Sequence, residues 1–382
     1  MKIVYSVGVS LGGGGIGDTA NYAVKEIYKE KVLMRVLCLE NKQKVIPLDK
    51  IITTKWTKYP LRYPLRAIQK YIFKNFDSYY WTDYIHDFFT RNKIPKCDIF
   101  HYWKSHGEIS SIKARKMGAI ILVESASSHP LTFKKIMEEE YHRLNIPFRV
   151  LTKKNIKKQL RELNNADYVV IPTDFVEQSF LENEFPKEKL IKTPFGVDLD
   201  IYSDKKEKKD EKFRAIFVGQ VSIRKGIHYL LQAWEELKLK NAELVIVGNI
   251  CGDARKFVEK YSSNKTIKFT GFDDPKKYYK QSDVFVFPSI EEGSALVTYE
   301  AMASGLPLIA TFNSGSVARE GKDGFIIPIR DVKELKAKIK FMQDNPIICD
   351  KMGKSARKYM EKFPWENYGK NILKAYKRIL KK

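Results

Sequence analysis

The sequence is poor in cysteine. Its four cysteines, Cys38, Cys97, Cys251 and Cys349, are scattered over 382 residues without C-x-x-C spacing. A zinc ribbon needs such pairs, and a disulfide framework needs denser cysteines in a shorter chain. Neither is therefore indicated, and a reducing cytoplasm is the compartment that fits.

Long apolar runs are missing as well. No stretch approaches the roughly 18 apolar residues that a membrane-spanning helix requires. The first residues, MKIVYSVGVSLGGGGIG, form a segment too short and too broken by glycine for a signal peptide. We therefore predict a cytoplasmic protein, soluble or peripheral on the inner face of the membrane.

Acidic residues are in short supply. Lys and Arg number 69 against 46 Asp and Glu, which gives a formal net charge of +23. Such a charge favours an anionic partner: nucleic acid, an acidic membrane surface or a phosphate-bearing substrate. The basic residues are spread along the chain, and no helix-turn-helix, zinc-finger or RNP-like pattern accompanies them. We therefore expect no specific nucleic acid partner.

The shortage is complete in residues 51–76, which contain basic residues and no acid. A helix that starts near Pro64 would separate an apolar face from a basic face. The apolar face would carry Leu65, Ile68, Ile72 and Phe76, and the basic face Arg66, Lys70 and Lys74. Residues 62–76 thus fit either an anionic membrane surface or, as we favour, an ordinary helix packed on the sheet with a solvated basic face.

Glycines are concentrated where the first predicted strand ends. Residues 2–8 are followed by SLGGGGIGD and then by a predicted helix, an arrangement that binds phosphates. The loop also aligns with the G-x-G-x-x-G of nicotinamide enzymes, for which Glu40 is the only acid near the expected place. A nicotinamide-dependent oxidoreductase therefore stays open.

The richest stretch in chemistry is residues 288–310, PSIEEGSALVTYEAMASGLPLIA. A buried strand, DVFVF, precedes it, and a helix is predicted after Ser294, so the helix start offers free N–H groups to an anion. Glu292 and Glu300 would lie roughly 9 to 12 Å apart along the axis, which is wider than the ~5 Å of a retaining glycosidase pair. The two carboxylates therefore suit separate sets of hydroxyls.

Two further strand ends carry candidate residues. The strand at residues 214–219 is followed by Arg224 and Lys225 at a strand-to-helix turn, where cations suit a diphosphate. In the first half of the chain, ESASSHP follows a short strand and ends in His129 and Pro130. Strand ends are where a ligand in the cleft of an α/β protein is met.

The pattern E-G-x-x-L-V-x-x-E-A-M-A-x-G-x-P at residues 292–307 resembles the donor-site motif of family 4, or group 1, retaining glycosyltransferases of the GT-B fold. The resemblance implies that Glu300 holds the ribose hydroxyls and that Glu292 touches the transferred sugar. The segment from Gly219 to Gly226 resembles that family's G-x5-K-G, which gives Lys225 the β-phosphate. Many relatives have arginine where this chain has Gln220, so one cation is missing, and Arg224 is a candidate to replace it.

The same resemblance implies the remaining site residues. His129 is the candidate that approaches the donor sugar, with His101 and His106 as second choices. The catalytic candidates are therefore His129, Glu292 and Lys225. The donor-binding candidates are Gly14, Gly15, Gly219, Arg224, Lys225, Gly248, Gly293, Ser294, Ala295, Leu296 and Glu300.

The predicted fold class is α/β of the GT-B type, with two Rossmann-like doubly wound domains facing across a cleft. We expect an acceptor-side domain at residues 1–195, a nucleotide-sugar domain at residues 196–362, and a helix at residues 363–382 that returns to the first domain. Regular β-α alternation in the sequence supports both domains.

The expected function is retaining transfer of a hexose-type sugar from a UDP- or GDP-sugar to a hydroxyl of a glycan, glycolipid or small acceptor. The nucleotide diphosphate sugar is a co-substrate, and no cofactor or metal is expected. A sugar-nucleotide epimerase of the same fold is the alternative, and an oxidoreductase or a basic adaptor without catalysis is less favoured.

Overall fold

The computed structural model describes residues 1–72, 76–148, 152–202, 208 and 210–381. Two parallel sheets form the frame, as the β-α alternation predicts. Their strands are short apolar runs buried on both faces, as is typical of sheets that helices cover on two sides.

The first sheet has seven strands in the order β3-β2-β1-β4-β5-β6-β7. Their bounds are β1 Ile3–Leu11, β2 Leu33–Asn41, β3 Ile51–Thr53, β4 Ile99–Trp103, β5 Ile120–Glu124, β6 Tyr168–Ile171 and β7 Leu190–Lys192. The helices are α1 Ile16–Lys29, α2 Tyr63–Ala67, α3 Ser78–Thr90, α4 Glu108–Lys116, α5 Pro130–Arg143, α6 Lys153–Asn164 and α7 Asp174–Leu181. The order reverses direction between β1 and β4, the place where doubly wound sheets bind ligands.

The second sheet has six strands in the order β10-β9-β8-β11-β12-β13. Their bounds are β8 Phe213–Val218, β9 Ala242–Val247, β10 Ile267–Gly271, β11 Val284–Phe287, β12 Leu308–Thr311 and β13 Gly324–Ile327. The helices that follow are α8 Ile227–Leu237, α9 Arg255–Tyr261, α10 Lys276–Tyr279, α11 Leu296–Ala303, α12 Val332–Asp344, α13 Pro346–Met360 and α14 Trp365–Ile379.

Helix α14 crosses back to the first domain. Trp365 stacks on Tyr22 of α1 with ring centroids 4.5 Å apart and an interplanar angle of 2°. Further along, the Tyr376 hydroxyl lies 2.6 Å from His101 Nδ1 on β4. The predicted return of the last helix is therefore confirmed, whereas the domain boundaries at 195/196 and 362/363 stay predictions.

The predicted basic helix at 62–76 overlaps a segment that is helical from 58 to 72. Leu65 and Ile68 are half-buried and Ile72 is 64% exposed, so this apolar face is only partly covered. Phe73, Lys74 and Asn75 lie outside the described residues. Within the part of the chain that the structure describes, no helix has the length and apolar character needed to cross a membrane.

Candidate active site

The carboxyl ends of the two sheets enclose a cavity of about 550 Å³. Eight of its lining residues belong to the predicted set: Gly15, Gly219, Arg224, Lys225, Glu292, Ser294, Ala295 and Leu296. The first domain adds residues that the sequence did not single out, among them Trp103, Lys104, Ser105, Glu124 and Gln159. The cavity thus has a wall from each domain.

The domains approach each other closely at Gly293. A Cβ on this residue would lie 1.5 Å from the backbone oxygen of Ala126, so a larger residue cannot occupy this place in the observed arrangement. The Gly293 carbonyl also accepts a hydrogen bond of 2.7 Å from Thr173 Oγ1 of the first domain. Glycine at this position therefore serves the contact between domains.

Lys225 occupies the floor of the second-domain wall. Its side chain is buried, its ammonium pairs with the Glu292 carboxylate, and Nζ lies 5.3 Å from the centre of the Phe287 ring. Burial, together with the neighbouring Arg224, holds the pKa of Lys225 well below its usual value. An anionic ligand would relieve that penalty, because it adds a negative charge beside the ammonium.

Arg224 connects the two adjacent glutamates of the acidic turn. Its Nη1 lies 3.2 Å from Glu291 Oε2 and 3.3 Å from Glu292 Oε1. Gln220, the departure from the family pattern, lines the same cavity. Arg224 is therefore near the position of the missing cation, but both carboxylates engage it, and its role as a replacement stays a prediction.

Glu300 lines a smaller cavity of about 180 Å³, which shares Gly15 and Leu296 with the main one. The Tyr279 hydroxyl donates a hydrogen bond of 3.2 Å to Glu300 Oε2. Burial raises the pKa of the Glu300 carboxyl, and hydrogen bonds from Tyr202 and Tyr279 partly offset this. A carboxylate with two neighbouring tyrosine hydroxyls suits a ligand that carries vicinal hydroxyls.

The loop glycines differ in their surroundings. Gly14 has a φ of +90° and an added Cβ would meet open space, so its conformation rather than crowding favours glycine there. Gly248 follows β9 and lies against the backbone oxygen of Gly219, 1.9 Å from the site of an added Cβ. It therefore supports Gly219 from outside the cavity lining.

His129 does not line the main cavity. It is the first residue before α5, and its Nδ1 accepts a hydrogen bond of 3.4 Å from the Leu131 N–H. Its ring packs edge-on against Phe180, and burial beside Lys104 lowers its pKa to about 4. The imidazole is thus neutral near pH 7, and its approach to a donor sugar stays a prediction.

The second-choice histidines are buried. His101 lies between Tyr376 and Glu124, with Nε2 3.1 Å from the carboxylate. His106 Nε2 lies 3.6 Å from Asp83 Oδ1, and burial lowers its pKa to about 3. Glu40, on which a nicotinamide interpretation depends, is engaged by Lys55 at 2.9 Å and by Lys58.

Three charged residues of the site were not predicted. Glu291 is fully buried, and its Oε1 accepts a hydrogen bond of 2.7 Å from Ser128 Oγ across the cleft. Lys104 directly follows β4, and Glu124 is the last residue of β5. Both line the main cavity. Their positions at strand ends were the available signal, but neither belongs to a recognisable motif.

Sequence reasoning also overlooked a D-x-D spelling, a pattern that binds metal in some nucleotide-sugar enzymes, at Asp198, Leu199 and Asp200. Asp198 Oδ1 accepts hydrogen bonds from the backbone N–H groups of Asp200 and Ile201, at 3.0 and 3.3 Å. Asp198 also lines the small cavity beside Glu300. Across the described ranges, no cluster of three or more potential His, Cys, Asp or Glu ligands is present.

Comparison with known proteins gives a family match in the second half of the chain. Residues 199–359 match the model of the family "Glycosyl transferases group 1". Sulfoquinovosyl transferase SQD2 of Arabidopsis thaliana is 32% identical over 164 residues, which cover 41% of this chain and 31% of that protein. The first curated relatives are matched over about a third to two thirds of their own length.

Solved structures match over the whole chain. Sucrose-phosphate synthase from Thermosynechococcus elongatus has a TM-score of 0.71 at 16% identity, with 100% of this chain and 99% of that chain covered. Anabaena Alr3699/HepE, solved with UDP and glucose, has a TM-score of 0.66 at 14% identity over 99% of this chain and 100% of that one. At such identities the likeness concerns the fold, and the predicted GT-B fold is confirmed.

Proposed function

We propose that this chain, which belongs to the group 1 glycosyltransferases and has the GT-B fold, transfers a sugar from a nucleotide diphosphate sugar to a hydroxyl group. One observation carries the proposal. The main cavity brings Lys225, Arg224 and the start of α11 to one wall, and the adjoining cavity presents Glu300 beside them. In a nucleotide diphosphate sugar, the diphosphate links the sugar to the ribose. The two cations and the helix start match the diphosphate, and Glu300 beside them matches the ribose.

The diphosphate lies, in this proposal, between Lys225 and the first turn of α11. Lys225 exchanges its ion pair with Glu292 for the phosphate, and the helix start adds N–H groups and a positive dipole end. Charge builds up on the departing diphosphate during transfer. A buried ammonium stabilises that charge more strongly than a solvated one does, because little water competes for it.

The two glutamates then have separate tasks. Glu300 accepts hydrogen bonds from the ribose hydroxyls beside Tyr279, and Glu292 turns from Lys225 to a hydroxyl of the sugar. The acceptor enters from the first-domain wall, past Trp103 and Ser105. UDP is the first nucleotide to test, since a solved structure of the same fold contains it.

The finer chemistry is also part of the proposal. We infer a hexose-type sugar from UDP or GDP, retention of the anomeric configuration, no metal requirement, and a glycan, glycolipid or small acceptor. NMR of the first-formed product reports the configuration, and EDTA tests the metal. An inverted product, or a reaction that stops with EDTA and resumes with Mg²⁺, would refute the corresponding part.

Nucleotide binding tests the site itself. UDP or GDP is expected to raise the melting temperature of the protein, because a ligand that binds only the folded state stabilises it. Glu300→Ala should remove most of that shift, since it removes the proposed ribose acceptor. Glu361→Ala is the matched control, because Glu361 is exposed and lines neither cavity.

An undiminished shift in Glu300→Ala would refute the ribose assignment. Interconversion of the donor sugar in the absence of any acceptor would instead identify a sugar-nucleotide epimerase. Binding of NADH with no response to UDP, GDP or ADP would favour an oxidoreductase.

A further inference from the structure

Exposed aromatic side chains are concentrated in the first domain, between residues 56 and 89. Trp56 is 57% exposed and Tyr59 is 74% exposed, while Trp81, Phe88 and Phe89 on α3 are each 37 to 38% exposed. Most monomeric proteins keep such groups apart or covered. This surface therefore points to a partner.

The rings form a continuous row. Trp56 contacts Phe89 with centroids 4.7 Å apart, and Phe89 contacts Phe88 at 5.3 Å. Tyr84 continues the row, 6.2 Å from Phe88 and 6.0 Å from Trp81. We call Trp56, Trp81, Tyr84, Phe88 and Phe89 the aromatic face.

The polarity of α3 is opposite to that of a usual surface helix. Its inner side buries one aromatic ring, Tyr80, and otherwise polar groups: Ser78, Thr82, His86, Asp87 and Thr90. These polar groups are satisfied: the Asp87 carboxylate, for example, accepts hydrogen bonds from the Ile109 and Ser110 N–H groups at 2.6 and 2.9 Å. A helix with mainly polar groups on its buried side and aromatic groups on its exposed side is suited to an apolar partner outside the folded chain.

Cations border the aromatic face. The Arg91 guanidinium lies 4.1 Å from the Phe88 ring centre, and Lys154 Nζ lies 4.2 Å from that of Trp81. No acid occurs in residues 51–76, and both acids of α3 are engaged on its inner side: Asp87 accepts from the Ser110 N–H, and Asp83 lies 3.6 Å from His106. The charge beside the aromatic face is therefore positive.

We propose that the aromatic face and its bordering cations dock the protein on an anionic lipid bilayer. Tryptophan and tyrosine favour the interfacial layer of a bilayer, and lysine and arginine at its edge attract acidic lipid headgroups. A protein partner would match the aromatic side chains equally well, but the bordering cations favour an acidic surface. The membrane contact that the sequence left open for residues 62–76 is thereby assigned to α3 instead.

The proposal deepens the proposed function, since it names the surface from which a lipid-linked acceptor would reach the cavity. α3 packs on the same sheet whose strand ends line that cavity, with His86 Nε2 3.4 Å from Ser6 Oγ of β1. Membrane binding does not itself require sugar transfer, so the two proposals fail independently.

Co-sedimentation with vesicles tests the docking. The protein should bind phosphatidylglycerol-containing vesicles and bind phosphatidylcholine vesicles weakly, and added salt should release it. Trp81→Ser/Phe88→Ser should weaken the binding by about tenfold or more, because two interfacial anchors are lost. Phe272→Ser/Ile347→Ser is the matched control, since both side chains are 84% exposed in the second domain.

The charges are tested separately. Arg91→Gln/Lys154→Gln should reduce binding to acidic vesicles about fivefold for each cation removed, while Lys333→Gln/Lys351→Gln, which changes two exposed lysines elsewhere, should not. A cooperative melting curve and an unchanged far-UV circular dichroism spectrum show that each variant is folded. Equal binding to neutral vesicles, binding that survives both test variants, or a dimer in light scattering that Trp81→Ser disperses would overturn the proposal.

Discussion

Lys104 is the residue whose charge state should be visible in solution. It lines the main cavity from the first domain, and its Nζ donates hydrogen bonds to Ser127 Oγ at 3.0 Å and to the Ser128 carbonyl at 3.3 Å. Burial lowers the pKa of Lys104 to about 8, although Glu291 and Glu162 act in the opposite direction. The ammonium therefore loses its proton in the mildly alkaline range.

An anion in the cavity should bind the protonated form of Lys104 more tightly than the neutral form. Below the pKa the cation is present, so the affinity for UDP is expected to be high there and to fall as pH rises through about 8. Calorimetric titration with UDP between pH 6.5 and 9 measures this, and Lys104→Gln should flatten the decline. Lys116→Gln, on an exposed part of the same domain, serves as the control. If Lys104→Gln keeps the full decline, another group is responsible, and Lys225 is the first to consider.

The adjacent residues Glu291 and Glu292 show what the sequence alone does not distinguish. The motif identifies Glu292, Glu300 and Lys225, and all three reach a cavity wall. It does not separate Glu292 from Glu291, which lies fully buried against Ser128 of the other domain. The partner of Glu291 is 163 residues away in the chain, so no local pattern could reveal its role.

At the scale of elements, the strands and the helices that follow them can be predicted from the sequence, because apolar runs and helix stop signals are local. α3 was not, since SYYWTDYIHDFFT carries aromatic residues on every side and has no clear apolar stripe. Only its contacts decide which side is buried. For the same reason, the sequence indicates a basic face within residues 62–76 but does not indicate the neighbouring aromatic face.

α14 offers a test of packing between elements. Gly369 faces α1, where an added Cβ would lie 2.5 Å from Glu26 Cγ and 3.1 Å from the Tyr22 carbonyl. Gly369→Val should therefore destabilise the protein by roughly 1 to 3 kcal/mol through overpacking. Denaturant unfolding measures the change. Lys370→Val introduces the same β-branched residue on the exposed side of α14 and should cost much less; equal losses in the two variants would contradict the steric explanation.

At the scale of the whole molecule, the sequence predicted two domains, a cleft and a last helix that returns to the first domain, but not the other contacts between the domains. One of these contacts is made by α5, which belongs to the first domain and reaches the second. Tyr141 donates a hydrogen bond of 2.7 Å to Asp253, and Met137 and Tyr141 share a small apolar cluster with Ile223 and Ile290. Each contact joins distant parts of the chain, so only the folded molecule reveals it.

Glu140 is the charged centre of this contact. It is fully buried, with Oε1 2.8 Å from His228 Nε2 and Oε2 2.6 Å from Arg330 Nε, both in the second domain. Burial raises the pKa of the Glu140 carboxyl, but the hydrogen bonds from His228 and Arg330 outweigh it and hold the pKa below its usual value. The contact is therefore complete above about pH 4.5 and weakens as pH falls through the lowered pKa.

Removing Glu140 should loosen the domains more than it weakens nucleotide binding. Glu140→Ala leaves Arg330 without its buried carboxylate, and breaking a buried pair in this way costs about 3 to 5 kcal/mol. The proposed nucleotide groups Lys225 and Glu300 are both in the second domain, whereas transfer needs both cavity walls. We thus expect a larger radius of gyration by solution X-ray scattering and a loss of transfer that exceeds the loss of UDP affinity.

Glu139→Ala is the matched control, since Glu139 also contacts Arg330, at 3.2 Å, but is 45% exposed. Unchanged scattering and transfer in Glu140→Ala would mean that α5 is not what holds the cavity closed.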